Sequence, residues 1–394
     1  MAKRIGIEGS EAVALAVNVA DVDVISAYPI TPQTHIVEIL SEYVADGKLD
    51  AEFIKVESEH SALSACLGAA AAGSRTFTAT SSQGLALMHE VLFIASGCRL
   101  PIVMAVVNRA LSAPLNIWAD HSDSMAERNA GWIQLYVENC QEAYDTTLQA
   151  FKIAEDKRVL LPVMVCLDGF VLSHVIEAVD ILDKFEVAKF LTSFTPKYVL
   201  DPKQPITMGA WASPEYYFEF KVQQEEAMKE AKKLIVEVNR RYAKLFGRKY
   251  GDGLVETVNT GDANIVFVTL GSMTGAAREA VEMLRSKGKK VGLLKIRTLR
   301  PFPANEIREA IKNVKVVAVA SRDLSPGSFG GAALSEVRSA LYELKKRPHV
   351  IGFVLGLGGR DIKVEDFLTI AHKAYGVLRK NRANRDFEFI GVKG

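Results

Sequence analysis

Two uncharged and almost wholly apolar runs, Pro101 to Val107 and Leu161 to Leu167, do most to limit what this chain can become. A strand with one face in water alternates apolar and polar residues, whereas a strand covered on both faces does not. Both runs are too short for a buried helix, so they call for a sheet sandwiched between helices. Val22 to Ser26, Phe53 to Val56, Arg75 to Ala79 and Trp132 to Val137 read as further strands of that sheet. Between them, Ser10 is expected to cap a helix through Ala12 to Ala20. The alanine-rich stretch Ser58 to Ala72 stops at Gly73, as a helix with a left-handed terminal residue would. Gly84 to Ser96 and Gln141 to Glu155 complete an alternation typical of a mostly parallel sheet.

Prolines at 196, 202, 205 and 214 then mark a linker. Ser213-Pro214 opens a helix whose stripe is Ala227, Ala231, Leu234, Val238, Tyr242 and Leu245, and which ends at Gly247. Strands at Asn264 to Leu270, Lys290 to Lys295, Val314 to Ala320 and Val350 to Leu355 alternate with helices in a second unit. The fold class is therefore α/β with two parallel-sheet units, 1–255 with a helical arm at about 190–250, and 256–394. Two cores suit 394 residues, because single cores stop growing at roughly 250 to 300.

A net charge of +1 without blocks of like charge leaves no electrostatic footprint for nucleic acid or an acidic membrane. Met1 to Ser10 lacks the apolar core of a signal peptide, and no apolar run reaches the ~18 residues that span a bilayer, so the expected location is cytoplasmic. Cys66, Cys98, Cys140 and Cys166 stand tens of residues apart in apolar or small-residue surroundings. They read as buried thiols, and any iron–sulfur cluster must come from another chain.

Four loops at carboxyl ends of strands, where open α/β sheets bind ligands, hold the polar candidates. Tyr28-Pro-Ile-Thr-Pro32 is stiffened by two prolines that could fix the Thr31 hydroxyl, or is an ordinary proline turn. Glu57-Ser-Glu59-His60 puts two carboxylates where a helix begins, a place where acids also simply complement the helix dipole. Thr80-Ser-Ser-Gln83-Gly84 offers hydroxyls and N–H groups at another helix start. Arg109 ends a strand and is suited to forked recognition of a carboxylate, unless it pairs with Asp120 or Asp123 as scaffold. Ser325 to Gly331 could cradle an anion or merely allow close packing. Gly251-Asp-Gly253 looks like the start of a diphosphate motif, but it follows an amphipathic helix and no asparagine closes it, so it is read as a decoy.

Taken together, YPITP at Tyr28 to Pro32, ESEHSA at Glu57 to Ala62, TATSSQGLALMHE at Thr78 to Glu90, NRALSAPLNIW at Asn108 to Trp118 and GLGGRD at Gly356 to Asp361 resemble the alpha subunit of pyruvate:ferredoxin oxidoreductases. The resemblance implies a first unit that receives the aminopyrimidine ring of thiamine pyrophosphate and a second unit like the transketolase C-terminal domain. It gives Glu59 the N1′ carboxylate role, with Glu57 the lesser candidate, and it puts Tyr28, Pro29, Ile30, Gln83 and Gly84 around the cofactor. Thr31 and Arg109 become substrate contacts. The diphosphate site with its Mg²⁺ and a [4Fe-4S] cluster would lie on a beta subunit, accompanied by gamma and delta-type subunits, with coenzyme A as co-substrate and ferredoxin as electron acceptor. Pyruvate is the expected 2-oxoacid, with 2-oxoisovalerate, 2-oxoglutarate or oxalate as alternatives. Two other readings are a scaffold subunit that docks catalytic partners and an enzyme delivering acyl groups to lipoyl domains.

Overall fold

The computed structural model describes residues 3–393, so Met1 and Ala2 of the N-terminal stretch read above, and Gly394, lie outside the described residues. The apolar runs do form central strands. A seven-stranded sheet has the order Thr298–Arg300, Ile133–Tyr136, Val163–Asp168, Ile102–Asn108, Thr76–Thr80, Val24–Ala27, Glu52–Lys55. Every pairing within it is parallel except that of Thr298–Arg300 with Ile133–Tyr136. Ile102–Asn108 and Val163–Asp168 are buried along their whole length, as two-sided cover requires. The second sheet, of six strands, has the order Phe387–Phe389, His349–Val354, Val316–Ser321, Ile265–Thr269, Val291–Ile296, Val255–Val258, with only the last strand antiparallel.

Thr298–Arg300 belongs in sequence to the second unit yet completes the first unit's sheet, and beside an apolar cluster within each unit there is a third that both units build. Met104 and Met164 of the first pack in a single buried cluster with Val266 and Val317 of the second. A buried ionic weld supplements it: Lys295 Nζ reaches Glu142 at 2.6 Å and Glu138 at 3.0 Å, while Arg297 Nε donates to Glu142 at 3.0 Å. Each buried charge there has an opposite charge to offset its desolvation.

Several expectations need correction. The first helix, Gly9–Val19, starts before Ser10, which is wholly buried inside it with its hydroxyl unpartnered; Glu8 takes the cap position. Gly84 to Ser96 is two helices, Ser82–Leu87 and His89–Gly97, joined at Met88. Leu245 is exposed, although the other five stripe residues of the helix Pro214–Phe246 are buried. The helices Thr34–Ala45, Ser122–Ala126, Lys184–Ala188 and Val364–Lys380 were not expected from the sequence, nor were the strands Val255–Val258, Thr298–Arg300 and Phe387–Phe389 or the antiparallel pair Lys3–Glu8 with Ile176–Ile181. That pair is a small separate ribbon. Lys3–Glu8 buries only Ile7 and Ile176–Ile181 only Val179, which leaves almost no apolar signal.

Gly73 does take the left-handed conformation, and so does Gly247. No described helix is long and apolar enough to cross a membrane.

Candidate functional site

The strands ending in the four candidate loops are consecutive neighbours in the first sheet, so the loops lie side by side along one edge. Glu57 and Glu59 diverge there. Ser58 caps the helix Glu59–Ala71 by accepting from Ser61 N at 3.2 Å, which leaves Glu57 outside the helix and exposed. The Glu57 carboxylate accepts from Ser61 Oγ at 2.5 Å, and this bond chiefly lowers its pKa. Glu59, the first helical residue, is 7% exposed, and its carboxylate makes no hydrogen bond or ion pair among the described residues. His60 faces outward, 3.7 Å from Glu90.

Room for that carboxylate comes from Gly84. A Cβ added at this position would stand 2.6 Å from Glu59 Oε1, 2.6 Å from Thr80 Oγ1 and 2.8 Å from Glu59 Cγ, so any larger residue would push the Glu59 side chain from its place. The expected donors of the same loop are spent inside the protein. Ser81 Oγ donates to Val107 O at 2.7 Å, the single Ser82 hydroxyl proton is shared between Ala110 O and Gln83 Oε1, and Ser82 N donates to Asp123 at 3.0 Å. What the loop still offers is the Gln83 amide nitrogen, which has no partner among the described residues.

Arg109 and Thr31 also come together. The guanidinium of Arg109 donates from Nη1 to Thr31 O at 2.9 Å and from Nε to Asn116 O at 3.1 Å. It forms no ion pair among the described residues, so the scaffold alternative of pairing with Asp120 or Asp123 does not hold for the side chain. Burial lowers its pKa, partly countered by Asp123. Its Nη2 is without a partner among the described residues. A charge held only by neutral carbonyls keeps its attraction for an anion. Thr31 itself is exposed, as are Tyr28 and Pro29, while Ile30 is half-buried. The turn is braced by Gln33, whose amide nitrogen donates to Tyr28 O at 3.1 Å and Ala79 O at 2.7 Å.

Sequence reasoning treated Asp123 only as a scaffold partner, yet it organises both polar loops. Its carboxylate accepts from Ser82 N and Arg109 N, each at 3.0 Å, from Asn108 Nδ2 at 2.8 Å and from Ser124 N at 2.7 Å. Burial pushes its pKa up to about 6 despite these bonds. Only the fold reveals this role, because the groups it joins lie up to 41 residues away.

Two further motifs are settled by their contacts. Asp252 of Gly251-Asp-Gly253 accepts from Leu254 N and Val255 N, each at 2.8 Å, and so acts as a turn former. The helix start after Ser325 to Gly331 is filled by the chain itself, since Asp323 accepts from Ala332 N at 2.7 Å. No group of metal-ligating side chains occurs among the described residues.

Similarity to known proteins agrees with this layout. Residues 15–240 match a family profile described as pyruvate flavodoxin/ferredoxin oxidoreductase, thiamine diphosphate-binding, and residues 263–367 match pyruvate:ferredoxin oxidoreductase core domain II. The chain is 56% identical to pyruvate synthase subunit PorA of Methanocaldococcus jannaschii, over 92% of this chain and 93% of that protein. It is 46% identical to ketoisovalerate oxidoreductase subunit VorA of Pyrococcus abyssi, over 98% and 97% of the respective chains. Among solved structures, a 2-oxoglutarate:ferredoxin oxidoreductase from Magnetococcus marinus, with 2-oxoglutarate, coenzyme A and succinyl-CoA bound, superposes with a TM-score of 0.70 at 19% identity. The superposition covers 94% of this chain and 65% of that longer one, and at this identity it speaks for the fold alone.

Proposed function

This chain belongs to the pyruvate:ferredoxin oxidoreductase family, and we propose that it is the subunit which receives the aminopyrimidine ring of thiamine pyrophosphate in a multi-subunit enzyme oxidising pyruvate. The overall reaction is decarboxylation of pyruvate with coenzyme A to acetyl-CoA and CO₂, with ferredoxin reduced, and it is reversible. The observation that carries the reading is Glu59: a carboxylate on a residue only 7% exposed, without a protein partner, packed against a glycine whose Cβ would press on it. A carboxylate that no protein donor occupies keeps its acceptor sites for a ligand group.

When bound, thiamine pyrophosphate would supply a carbon nucleophile. Glu59 would accept a hydrogen bond from the pyrimidine N1′ and so hold a proton at that atom, the position from which a carboxylate promotes the cofactor's activation. The stiff turn Tyr28 to Ile30, with Gln83 and Gly84, bounds the ring. Arg109 clamps the pyruvate carboxylate and the Thr31 hydroxyl assists, orienting the keto carbon. A beta subunit holds the diphosphate, Mg²⁺ and a [4Fe-4S] cluster, gamma and delta-type subunits complete the complex, and the assembly is cytoplasmic. Exposure of Tyr28, Pro29 and Thr31 in the isolated chain suits a half-site closed by that partner.

The 46% identity to a ketoisovalerate enzyme favours one second reading, the same chemistry on a branched 2-oxoacid, because one or two methylenes alter selectivity by only about 1 to 3 kcal/mol. Profiling the assembled complex with pyruvate, 2-oxobutyrate, 2-oxoisovalerate and 2-oxoglutarate decides between them. Glu59→Gln should cut pyruvate-dependent ferredoxin reduction by about 10²- to 10⁴-fold. Undiminished reduction would refute the role of Glu59.

A further inference from the structure

The GLGGRD segment of the second unit has no part in the site as described so far, yet its backbone is bound to the loop that supports Arg109. Gly356, Gly358 and Gly359 all have positive φ, at 71°, 60° and 78°, a run that side-chain-bearing residues rarely adopt. The turn they make is docked at three points. Asn116 Nδ2 donates to Gly358 O at 3.1 Å, Gly358 N to Asp120 Oδ2 at 3.1 Å and Gly359 N to Ala119 O at 2.8 Å. Gly359 approaches so closely that a Cβ there would lie 2.1 Å from Trp118 Cβ.

The docked loop leads straight back to the arginine. Asn116 Oδ1 accepts from Trp118 N at 2.8 Å, and Trp118 O accepts from Ala110 N at 3.1 Å, so the segment from 109 to 118 closes on itself. Its outer part, 112–115, is exposed and gives no support. The carbonyl on which Arg109 Nε rests belongs to Asn116, the residue gripped by Gly358. A guanidinium with no carboxylate partner depends on such fixed acceptors for its orientation.

We infer that the glycine turn 356–359 of the second unit is a positioning element for substrate binding, acting on Arg109 through Asn116. This rests on the proposed role of Arg109 as the clamp for the 2-oxoacid carboxylate. It gives the second unit a part in substrate affinity, although that unit contributes none of the proposed substrate or cofactor contacts.

The test uses the assembled enzyme. Asn116→Ala removes both side-chain bonds but keeps the carbonyl; it should raise the KM for pyruvate about tenfold, with kcat and the affinity for thiamine pyrophosphate within about twofold. In an Arg109→Ala background the same change should have no further effect on KM, which a merely structural role would not produce. Gly359→Ala should act in the same direction, and if it fails to assemble, the loop-borne Asn116→Ala decides. An unchanged KM in Asn116→Ala, or an effect that multiplies with that of Arg109→Ala, overturns the inference. Should Arg109→Ala alone leave KM unchanged, the clamp reading falls and this inference with it; a raised KM in Arg109→Ala beside a normal one in Asn116→Ala removes only the positioning role.

Discussion

Glu59 and Arg109, the proposed cofactor and substrate contacts, follow the two flanking strands of a row of four and are positioned by different means. Glu59 is placed by shape: a helix start presents it, a missing side chain at residue 84 makes room, and no hydrogen bond holds the carboxylate. Arg109 is placed by polar contacts: Asp123 holds its backbone, while Thr31 O and Asn116 O hold its guanidinium. In the proposed roles, a carboxylate that meets a bound ring gains from keeping its oxygens free, and a cation that orients a small anion gains from being fixed. The two sides should therefore fail differently.

The largest difference is expected from Arg109→Ala, which should raise the KM for pyruvate by the equivalent of roughly 2 to 4 kcal/mol while cofactor affinity stays near normal. An unchanged KM would break the contrast. Gly84→Ala should act on the other side, lowering kcat about 10²-fold because the carboxylate is displaced by its new neighbour, with the KM for pyruvate little changed.

The smallest effect concerns pH. As Asp123 takes up a proton near pH 6, one of its acceptor sites becomes a donor, so the KM for pyruvate should rise a few-fold between pH 7 and 5 and this limb should vanish in Asp123→Asn. Its stability effect has the opposite sign. A pKa raised above the ordinary 3.8 means that the native chain binds the proton first, so this residue's contribution to stability grows as pH falls from about 6 towards 3.8. Chemical denaturation of wild type and Asp123→Asn across this range checks the sign.

Much of this was legible before any coordinates. Uncharged runs such as 101–107 announce two-sided burial, so the central strands and the loops that follow them could be read directly, though not the strands' order in the sheet. Glu59, Thr31 and Arg109 could be singled out as candidates because each lies within a compact motif that carries the family resemblance. Lys3–Glu8 could not be read, since a strand pairing with residues some 170 positions later and burying one side chain has no local period. Asp123 and Asn116 escaped for a related reason: their importance lies in which distant backbone groups they meet. The hydroxyls of Ser81 and Ser82 misled in the opposite direction, looking available in sequence but committed to Val107 and Ala110 in the fold.

The carboxylate of residue 59 is proposed to meet N1′ of the cofactor, and hydrogen–deuterium exchange at thiazolium C2, followed by NMR after acid quench of the assembled enzyme, reads that contact without substrate or ferredoxin. Exchange should be fast in the wild type and slower by at least about 10²-fold in Glu59→Gln with the cofactor still bound. Equal exchange rates in the two proteins would contradict it.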